Sequence, residues 1–140
     1  MGVDLPLGNA QHLAESIDQL RNGVRRLNFA YVTLDRQKVL GEGSSSRVYR
    51  GSYKKRPCAV KLLFTLDLTP EVIHRCCTEA TILSSVKHKN VVNIWGVCVL
   101  PPSVCIVLEL CEYGSVSDLV RGKMQVCAFE YCIASYCIVL

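Results

Sequence analysis

The sequence predicts an α+β fold in which a single helix interrupts a series of five short strands. Two observations support this prediction. Short apolar runs alternate with turn-forming residues along most of the chain, which is the pattern of strands joined by tight connections. Among these runs stands one clear helix start, Thr69-Pro70-Glu71, because proline is favoured in the first turn of a helix.

The elements are expected in the order strand, strand, strand, helix, strand, strand. A glycine- and serine-rich turn at 41–46 divides the first strand region in two, and Pro101-Pro102-Ser103 separates the last two strands. The expected elements span residues 38–51 for the first two strands, 58–64 for the third, 69–86 for the helix, and 91–100 and 104–110 for the last two strands.

An N-terminal flank, residues 1–34, precedes these elements and has the pattern of an amphipathic helix. Asn9 can cap a helix that runs to about Arg26. We interpret it as a flanking helix that packs on the domain; a partner-binding or regulatory helix is the alternative, because sequence alone does not separate the two. The apolar stripe of this helix comprises Leu13, Ile17, Leu20 and Val24.

Charge limits the classes of partner. The chain holds 16 lysines and arginines against 12 acidic residues, a net charge of +4, and the cations are scattered, so no nucleic-acid partner is expected. The two densest basic clusters, Lys54-Lys55-Arg56 and Lys87-His88-Lys89, lie between apolar runs and are interpreted as solvated turns.

The nine cysteines form an odd set without a Cys-x-x-Cys pair, which argues against a disulfide framework and against a zinc site. We infer a reducing, cytoplasmic compartment. Four of them lie in apolar runs, where free cysteine behaves as a small hydrophobic residue. These four are Cys58, Cys76, Cys98 and Cys105.

The first motif with chemical meaning is the small-residue turn of the first two strands. Small residues let a backbone approach phosphate oxygens closely, and exposed N–H groups in such a turn bind anions. The turn approximates G-x-G-x-x-G-x-V with Ser46 at the third glycine, although taken alone an ordinary hairpin turn explains it equally well. It reads Leu40-Gly41-Glu42-Gly43-Ser44-Ser45-Ser46-Arg47-Val48.

Two charged residues stand where apolar residues are expected. Lys61 is central in an apolar strand, and a buried ammonium needs an anionic partner, unless the lysine extends from a sheet edge into water. Glu79 falls on the apolar stripe of the predicted helix, where a carboxylate needs a cation. We therefore expect the two to form an ion pair that leaves Lys61 able to reach phosphates. The rest of that stripe is Val72, Cys76, Leu83 and Val86.

Together these features resemble the small lobe of a eukaryotic protein kinase over residues 38–122, in the style of the tyrosine-kinase-like group, whose members are mostly serine/threonine kinases. The resemblance implies a five-stranded antiparallel sheet with one αC-type helix, here preceded by the N-terminal helix, and a lobe spanning 35–122. The matching motifs are Leu40-Gly41-x-Gly43 with Val48, Ala59-Val60-Lys61, Glu79, His88-x-Asn90-Val91-Val92, the hinge-like Ile106 to Cys111, and Gly114-Ser115-x-x-Asp118-Leu119.

The resemblance also implies ATP as the bound cofactor, in the form of Mg-ATP in a complete domain. Lys61 would hold the α- and β-phosphates and pair with Glu79, while the backbone amides of 42–46 would cover the phosphates. Leu40, Val48 and Ala59 would form the apolar walls around the adenine.

At the hinge, the resemblance implies that Leu108 is the gatekeeper behind the adenine. The Glu109 carbonyl and the Cys111 backbone would form hydrogen bonds with the adenine edge. Asp118 corresponds to the ribose-contacting position, and a helix N-cap role is equally compatible. Cys111 has a second interpretation as a reactive thiol near the pocket.

The motifs that perform phosphotransfer in this family do not occur after Lys123: the sequence has no H-R-D-x-x-x-x-N, no D-F-G and no A-P-E. No catalytic residue and no metal ligand is therefore assigned. The family activity is transfer of the ATP γ-phosphoryl group to protein serine or threonine, and we expect none from this chain alone, nor a protein substrate unless a large lobe is supplied. The alternative is a non-catalytic kinase-like binding or decoy module.

The tail, residues 123–140, is apolar and cysteine-rich and is expected to lie outside the lobe. Gly122-Lys123 can be encoded as GGT-AAG, the consensus of an intron start, so translated intron is one explanation. A weak membrane anchor is the rival; Glu130 and a length below the roughly 20 apolar residues of a spanning helix argue against it.

Overall fold

In a computed structural model, the residues described are 23–43, 46–63, 70–89, 91–100 and 103–112. They form one five-stranded antiparallel sheet in the order β1-β2-β3-β5-β4 and one helix, α1. The α+β prediction and the order of the elements are confirmed. The elements are a short 3-10 helix Phe29–Tyr31, β1 Val32–Glu42, β2 Ser46–Tyr53, β3 Arg56–Leu63, α1 Pro70–Ser85, β4 Ile94–Leu100 and β5 Ser103–Leu108.

The largest difference from the predicted boundaries is at β1, which begins at Val32 rather than at Lys38. The strand contains an irregularity between Asp35 and Val39, where the register with β2 shifts. Asp35 Oδ1 accepts a hydrogen bond from the Gln37 backbone N–H at 3.1 Å. The polar residues at this irregularity interrupt the alternation of apolar and polar residues by which a strand is recognised in sequence. The early part of β1 is therefore not predicted.

The buried stripe of α1 is also rotated relative to the prediction. Val86 lies beyond the end of the helix at Ser85 and is 37% exposed, so the prediction that it faces inward is wrong. Val72 is half-buried, and Glu79 lies at the border of the buried face. The residues of α1 that are buried are Ile73, Cys76, Cys77, Ala80 and Leu83.

Both faces of the sheet are covered. On one face, α1 packs against Val97, Val104 and Ile106, together with other apolar residues of β3–β5. On the opposite face, Leu27 and the apolar residues of the chain leading into β1 pack on a second cluster. That second cluster contains Cys58, Val60, Cys98, Cys105 and Val107.

The chain segment 24–27 is not helical, so the prediction of a helix reaching Arg26 is wrong at its C-terminal end. Arg26 instead forms a parallel bridge with Val97 of β4. The Leu27 N–H donates to the Val97 carbonyl and the Val97 N–H donates to the Arg25 carbonyl, both at 2.9 Å. The earlier part of the predicted helix, residues 9–22, lies outside the described residues, as do the tail and Asp118.

The four cysteines expected to act as small apolar residues are buried and free. Burial raises the pKa of the Cys58 thiol to about 11. The basic clusters 54–56 and 87–89 are exposed, as expected for turns. In the part of the chain that the structure describes, no helix has the length and apolar character needed to cross a bilayer.

Candidate nucleotide-binding site

Lys61 lies at the middle of the sheet and faces α1. It is paired in register with Val48 of β2 and with Ile106 of β5. Residues directly opposite each other in antiparallel strands project to the same face, and Ile106 belongs to the core under α1. The fold therefore directs the lysine toward the helix rather than to the opposite face of the sheet.

The Lys61 ammonium donates a hydrogen bond to Glu79 Oε1 at 2.6 Å. The ion pair expected from two misplaced charges in the sequence is thus present. The side chains are 21% and 33% exposed, so the pair is neither fully solvated nor sealed from water. A charge-assisted hydrogen bond in such a setting fixes the lysine's direction while leaving donors free for a further anion.

Cys76 lies one helical turn before Glu79, close to this ion pair. Burial raises the pKa of the Cys76 thiol to about 12, with neighbouring Cys77 and Glu79 raising it further and Lys61 opposing the shift. A thiol with so high a pKa remains protonated near neutral pH and is a poor nucleophile. Cys76 therefore acts as packing beneath the ion pair rather than as a reactive group.

The β1–β2 hairpin forms the predicted small-residue loop. Gly41 is opposite Val48 in the register, and the Gly43 N–H donates to the Ser46 carbonyl at 2.8 Å, which closes the turn. Ser44 and Ser45 lie outside the described residues.

Gly41 differs from the glycines that the fold itself requires. A Cβ added at Gly51 would lie 2.3 Å from the Thr33 carbonyl oxygen, and one at Gly96 would lie 2.2 Å from the Arg25 carbonyl oxygen. A Cβ at Gly41 would meet no atom within 4 Å. Packing within the described chain therefore does not explain Gly41, and the open space beside it suits the close approach of a ligand.

Glu42 would be an unfavourable neighbour for phosphates if its charge were unbalanced. It forms an ion pair with Arg47, its register partner across the hairpin. The hydrogen bond to Glu42 is the main cause that raises the pKa of Arg47, with a second contribution from Tyr49. The acidic side chain of the loop is thereby neutralised where anions are expected to bind.

The apolar residues predicted to surround the adenine lie mostly on the same face as Lys61. Ala59 is paired in register with Leu108, and both belong to the core under α1, with Val48 packed against them. Leu40 differs, because it lies at a register shift between Val39 and Gly41 and is 43% exposed.

The hinge segment is held by Asn93, a residue that no sequence motif singles out. The Glu109 N–H donates to the Asn93 carbonyl at 2.8 Å. The Glu109 carboxylate accepts from the Asn93 side-chain amide at 2.7 Å and from its backbone N–H at 3.2 Å. The N–H and the carboxylate of Glu109 are therefore both bonded to Asn93, the residue just before β4. Cys111 is half-buried and packs against the core under α1.

Comparison with known proteins defines the class of this chain. A family model described as "Protein tyrosine and serine/threonine kinase" matches residues 34–137, and the chain belongs to that family. The five-stranded sheet together with α1 is the small lobe of the kinase domain, as the sequence motifs indicated.

Three individual relatives are protein kinases by name, and two of them are named serine/threonine kinases. The chain is 37% identical over 87 residues to serine/threonine-protein kinase STY46 of Arabidopsis thaliana, covering 62% of this chain and 15% of the relative. It is 37% identical over 83 residues to stress-activated protein kinase alpha of Dictyostelium discoideum, covering 59% and 13%. A probable serine/threonine-protein kinase of the same organism is 28% identical over 118 residues, covering 84% and 13%. The chain thus spans a small fraction of the length of these relatives.

Proposed function

We propose that this chain is the ATP-binding small lobe of a serine/threonine protein kinase. The observation that carries the proposal is the Lys61–Glu79 hydrogen bond of 2.6 Å between β3 and α1. A lysine directed by a helix carboxylate, on the face reached from a glycine hairpin, is the arrangement that holds nucleotide phosphates in protein kinases.

Each part of the site has a distinct role in this proposal. Lys61 binds the α- and β-phosphates, and Glu79 keeps the ammonium in place, so the position of α1 is coupled to nucleotide binding. The hairpin backbone around Gly41 and Gly43 covers the phosphates. The bound Mg-ATP would supply the γ-phosphoryl group that the family transfers.

The adenine would lie against Val48, Ala59 and Leu108. Since Asn93 engages the N–H and the carboxylate of Glu109, the Glu109 carbonyl and the Cys111 backbone are the groups proposed to bond the adenine edge. The two other predicted contacts, Leu40 as a wall and Asp118 at the ribose, remain part of the proposal. So does the reactive-thiol interpretation of Cys111.

Saturation-transfer NMR with Mg-ATP tests this proposal, because it detects the weak binding expected of half a nucleotide site. The 140-residue chain should transfer saturation to the adenine protons. Lys61→Met, which keeps the aliphatic length but removes the charge, should weaken binding about tenfold. Lys38→Met removes an exposed lysine of β1 and serves as the matched control. Equal binding by wild-type and Lys61→Met chains, or none by wild type at millimolar Mg-ATP, would refute the site.

A non-catalytic binding module is the second candidate. The observation behind it concerns these 140 residues alone, in which the H-R-D and D-F-G motifs do not occur. We propose that these residues alone transfer no phosphate, which a radiolabel assay with Mg-ATP and a full-length kinase as positive control can test. Incorporation of label above background would contradict the proposal.

We further propose a cytoplasmic location. It is supported by the free state of the described cysteines, which suits a reducing compartment.

A further inference from the structure

A basic depression lies on the face of the sheet opposite α1 and Lys61. It has a volume of about 290 Å³. Its apolar part belongs to the core cluster on that face, away from the candidate nucleotide site. The lining residues are Arg25, Leu27, Tyr53, Lys54, Arg56 and Trp95.

The β2–β3 turn places Lys54, which lines the depression, and the adjacent Lys55 in an unusual backbone conformation. Lys54 has φ of 49° and Lys55 has φ of 67°, positions that normally favour glycine or asparagine in a tight hairpin. The Lys54 N–H donates to the Tyr31 carbonyl at 3.0 Å. Its ammonium lies 5.2 Å from the centre of the Tyr31 ring and 5.8 Å from that of Tyr53. Cation–π contacts thus hold the Lys54 charge beside aromatic rings.

Arg56 is held in a similar way. Its guanidinium carbon lies 4.8 Å from the centre of the Trp95 ring. A guanidinium has five N–H donors, so contact with an aromatic ring leaves donors available for an anion. The sequence alone could not show this arrangement, because Trp95 comes from β4 and Tyr31 from the segment before β1.

The charges of this depression are not balanced within the described residues. In that part of the chain, no carboxylate forms an ion pair with Arg25, Lys54 or Arg56. Three cations therefore surround one small depression with Leu27 and Trp95 in its lining. Such a site suits an anion carried on an apolar group.

Size and shape narrow the class of ligand. Small-molecule pockets usually exceed about 300 Å³, so this depression is suited to one side chain rather than to a whole nucleotide. A phosphomonoester carries between one and two negative charges at neutral pH, which matches several converging cations better than one carboxylate does. Leu27, Tyr53 and Trp95 add apolar and aromatic surface beside these cations, which suits the ring of a phosphorylated tyrosine better than the short aliphatic stem of a phosphorylated serine.

We propose that this depression binds a phosphorylated tyrosine side chain of another protein. Binding there is independent of the nucleotide site, because the two lie on opposite faces of the sheet. The inference therefore holds or fails separately from the proposed ATP-binding function.

Trp95 is the single tryptophan of the chain, so its fluorescence reports directly on this depression. The probes are N-acetyl-phosphotyrosine amide, phenyl phosphate and unphosphorylated N-acetyl-tyrosine amide, each titrated into the 140-residue chain. We expect the two phosphorylated probes to change Trp95 emission saturably and the unphosphorylated one to cause no saturable change.

Charge-removing variants complete the test. Lys54→Gln leaves the Arg56–Trp95 stack intact and should weaken phosphotyrosine binding about five- to tenfold, as should Arg56→Gln. Lys38→Gln removes an exposed charge of β1 that does not line the depression and should leave affinity unchanged. The proposal is overturned if neither phosphorylated probe binds, if the unphosphorylated probe binds equally well, or if Lys38→Gln has the same effect as Lys54→Gln.

Two further arms distinguish other anionic partners. Phosphatidylserine vesicles and a single-stranded oligonucleotide are tested on the same variants. Binding to either one that depends on Lys54 and Arg56, without phosphotyrosine binding, would replace the proposed partner with a membrane or a nucleic acid and so refute the proposal.

Discussion

Replacing Gly96 with alanine should detach the segment 25–27 from β4. The added Cβ would lie 2.2 Å from the Arg25 carbonyl oxygen and 2.8 Å from Leu27 Cγ, and Gly96 has φ of 154°. A Cβ cannot lie 2.2 Å from a backbone oxygen, so the segment 25–27 must move away from β4.

The cost of that movement follows from the contacts it breaks. The two backbone hydrogen bonds with Val97 contribute about 1 kcal/mol each. Leu27 is buried, and exposing a leucine side chain costs about 1.5–3 kcal/mol. We therefore expect Gly96→Ala to lower the free energy of unfolding by about 3.5–5 kcal/mol, a large share of the stability of a small domain.

Urea denaturation followed by circular dichroism measures this loss. Gly41→Ala is the matched control, because its Cβ would meet no atom within 4 Å. We expect the control to lie within about 0.5 kcal/mol of wild type. The reasoning fails if Gly96→Ala unfolds within about 1 kcal/mol of wild type, or if the two alanines cost the same.

Two further predictions concern α1 and its neighbourhood. Glu79→Gln removes the partly exposed partner of Lys61. It should lower the free energy of unfolding by about 1 kcal/mol in urea denaturation and weaken Mg-ATP binding by NMR. Arg75→Gln, which removes an exposed charge from the same helix, is the control, and an equal loss from it would contradict the assignment. Stability should also fall at high pH. The pKa of Cys76 is raised to about 12 in the folded state, so the folded chain holds this proton more tightly than the unfolded chain, and the resulting stabilisation is full below pH 9.0 and lost as pH rises toward 12. Cys76→Ala should flatten the decline measured by urea denaturation between these pH values, and an unchanged slope would show that this thiol is not its source.

The ion pair could be predicted from sequence because both charges stand in apolar surroundings. Lys61 interrupts an apolar strand and Glu79 an apolar helix stripe, and burying either one alone is unfavourable. An ion pair between them is the simplest arrangement, and in the structure the Lys61 ammonium lies 2.6 Å from Glu79 Oε1. Local pattern was sufficient here because each of the two charges interrupts an apolar pattern on its own element.

Other features depended on contacts that sequence does not reveal. The stripe ending at Val24 indicated a helix to Arg26, yet pairing with Val97 overrides that local preference, and the approach is possible only because Gly96 has no side chain. The cluster 54–56 was predicted to be a turn; Lys54 and Lys55 form that turn, whereas Arg56 is the first residue of β3. The stacking of this cluster on Tyr31 and Trp95 joins residues far apart in the chain and could not be read from the turn itself.

The pairing of segment 25–27 with β4 has a consequence for association between copies of the chain. β4 is the last strand in the sheet order, so its outer backbone groups would otherwise be available to another strand. The Leu27 N–H and the Arg25 carbonyl occupy the two polar groups of Val97 at the centre of that edge. Exposed edge strands promote intermolecular β-pairing and aggregation. A version of this lobe cut at its first strand, Val32, would lose that protection, and lobe boundaries chosen from the kinase motifs alone would select an aggregation-prone fragment.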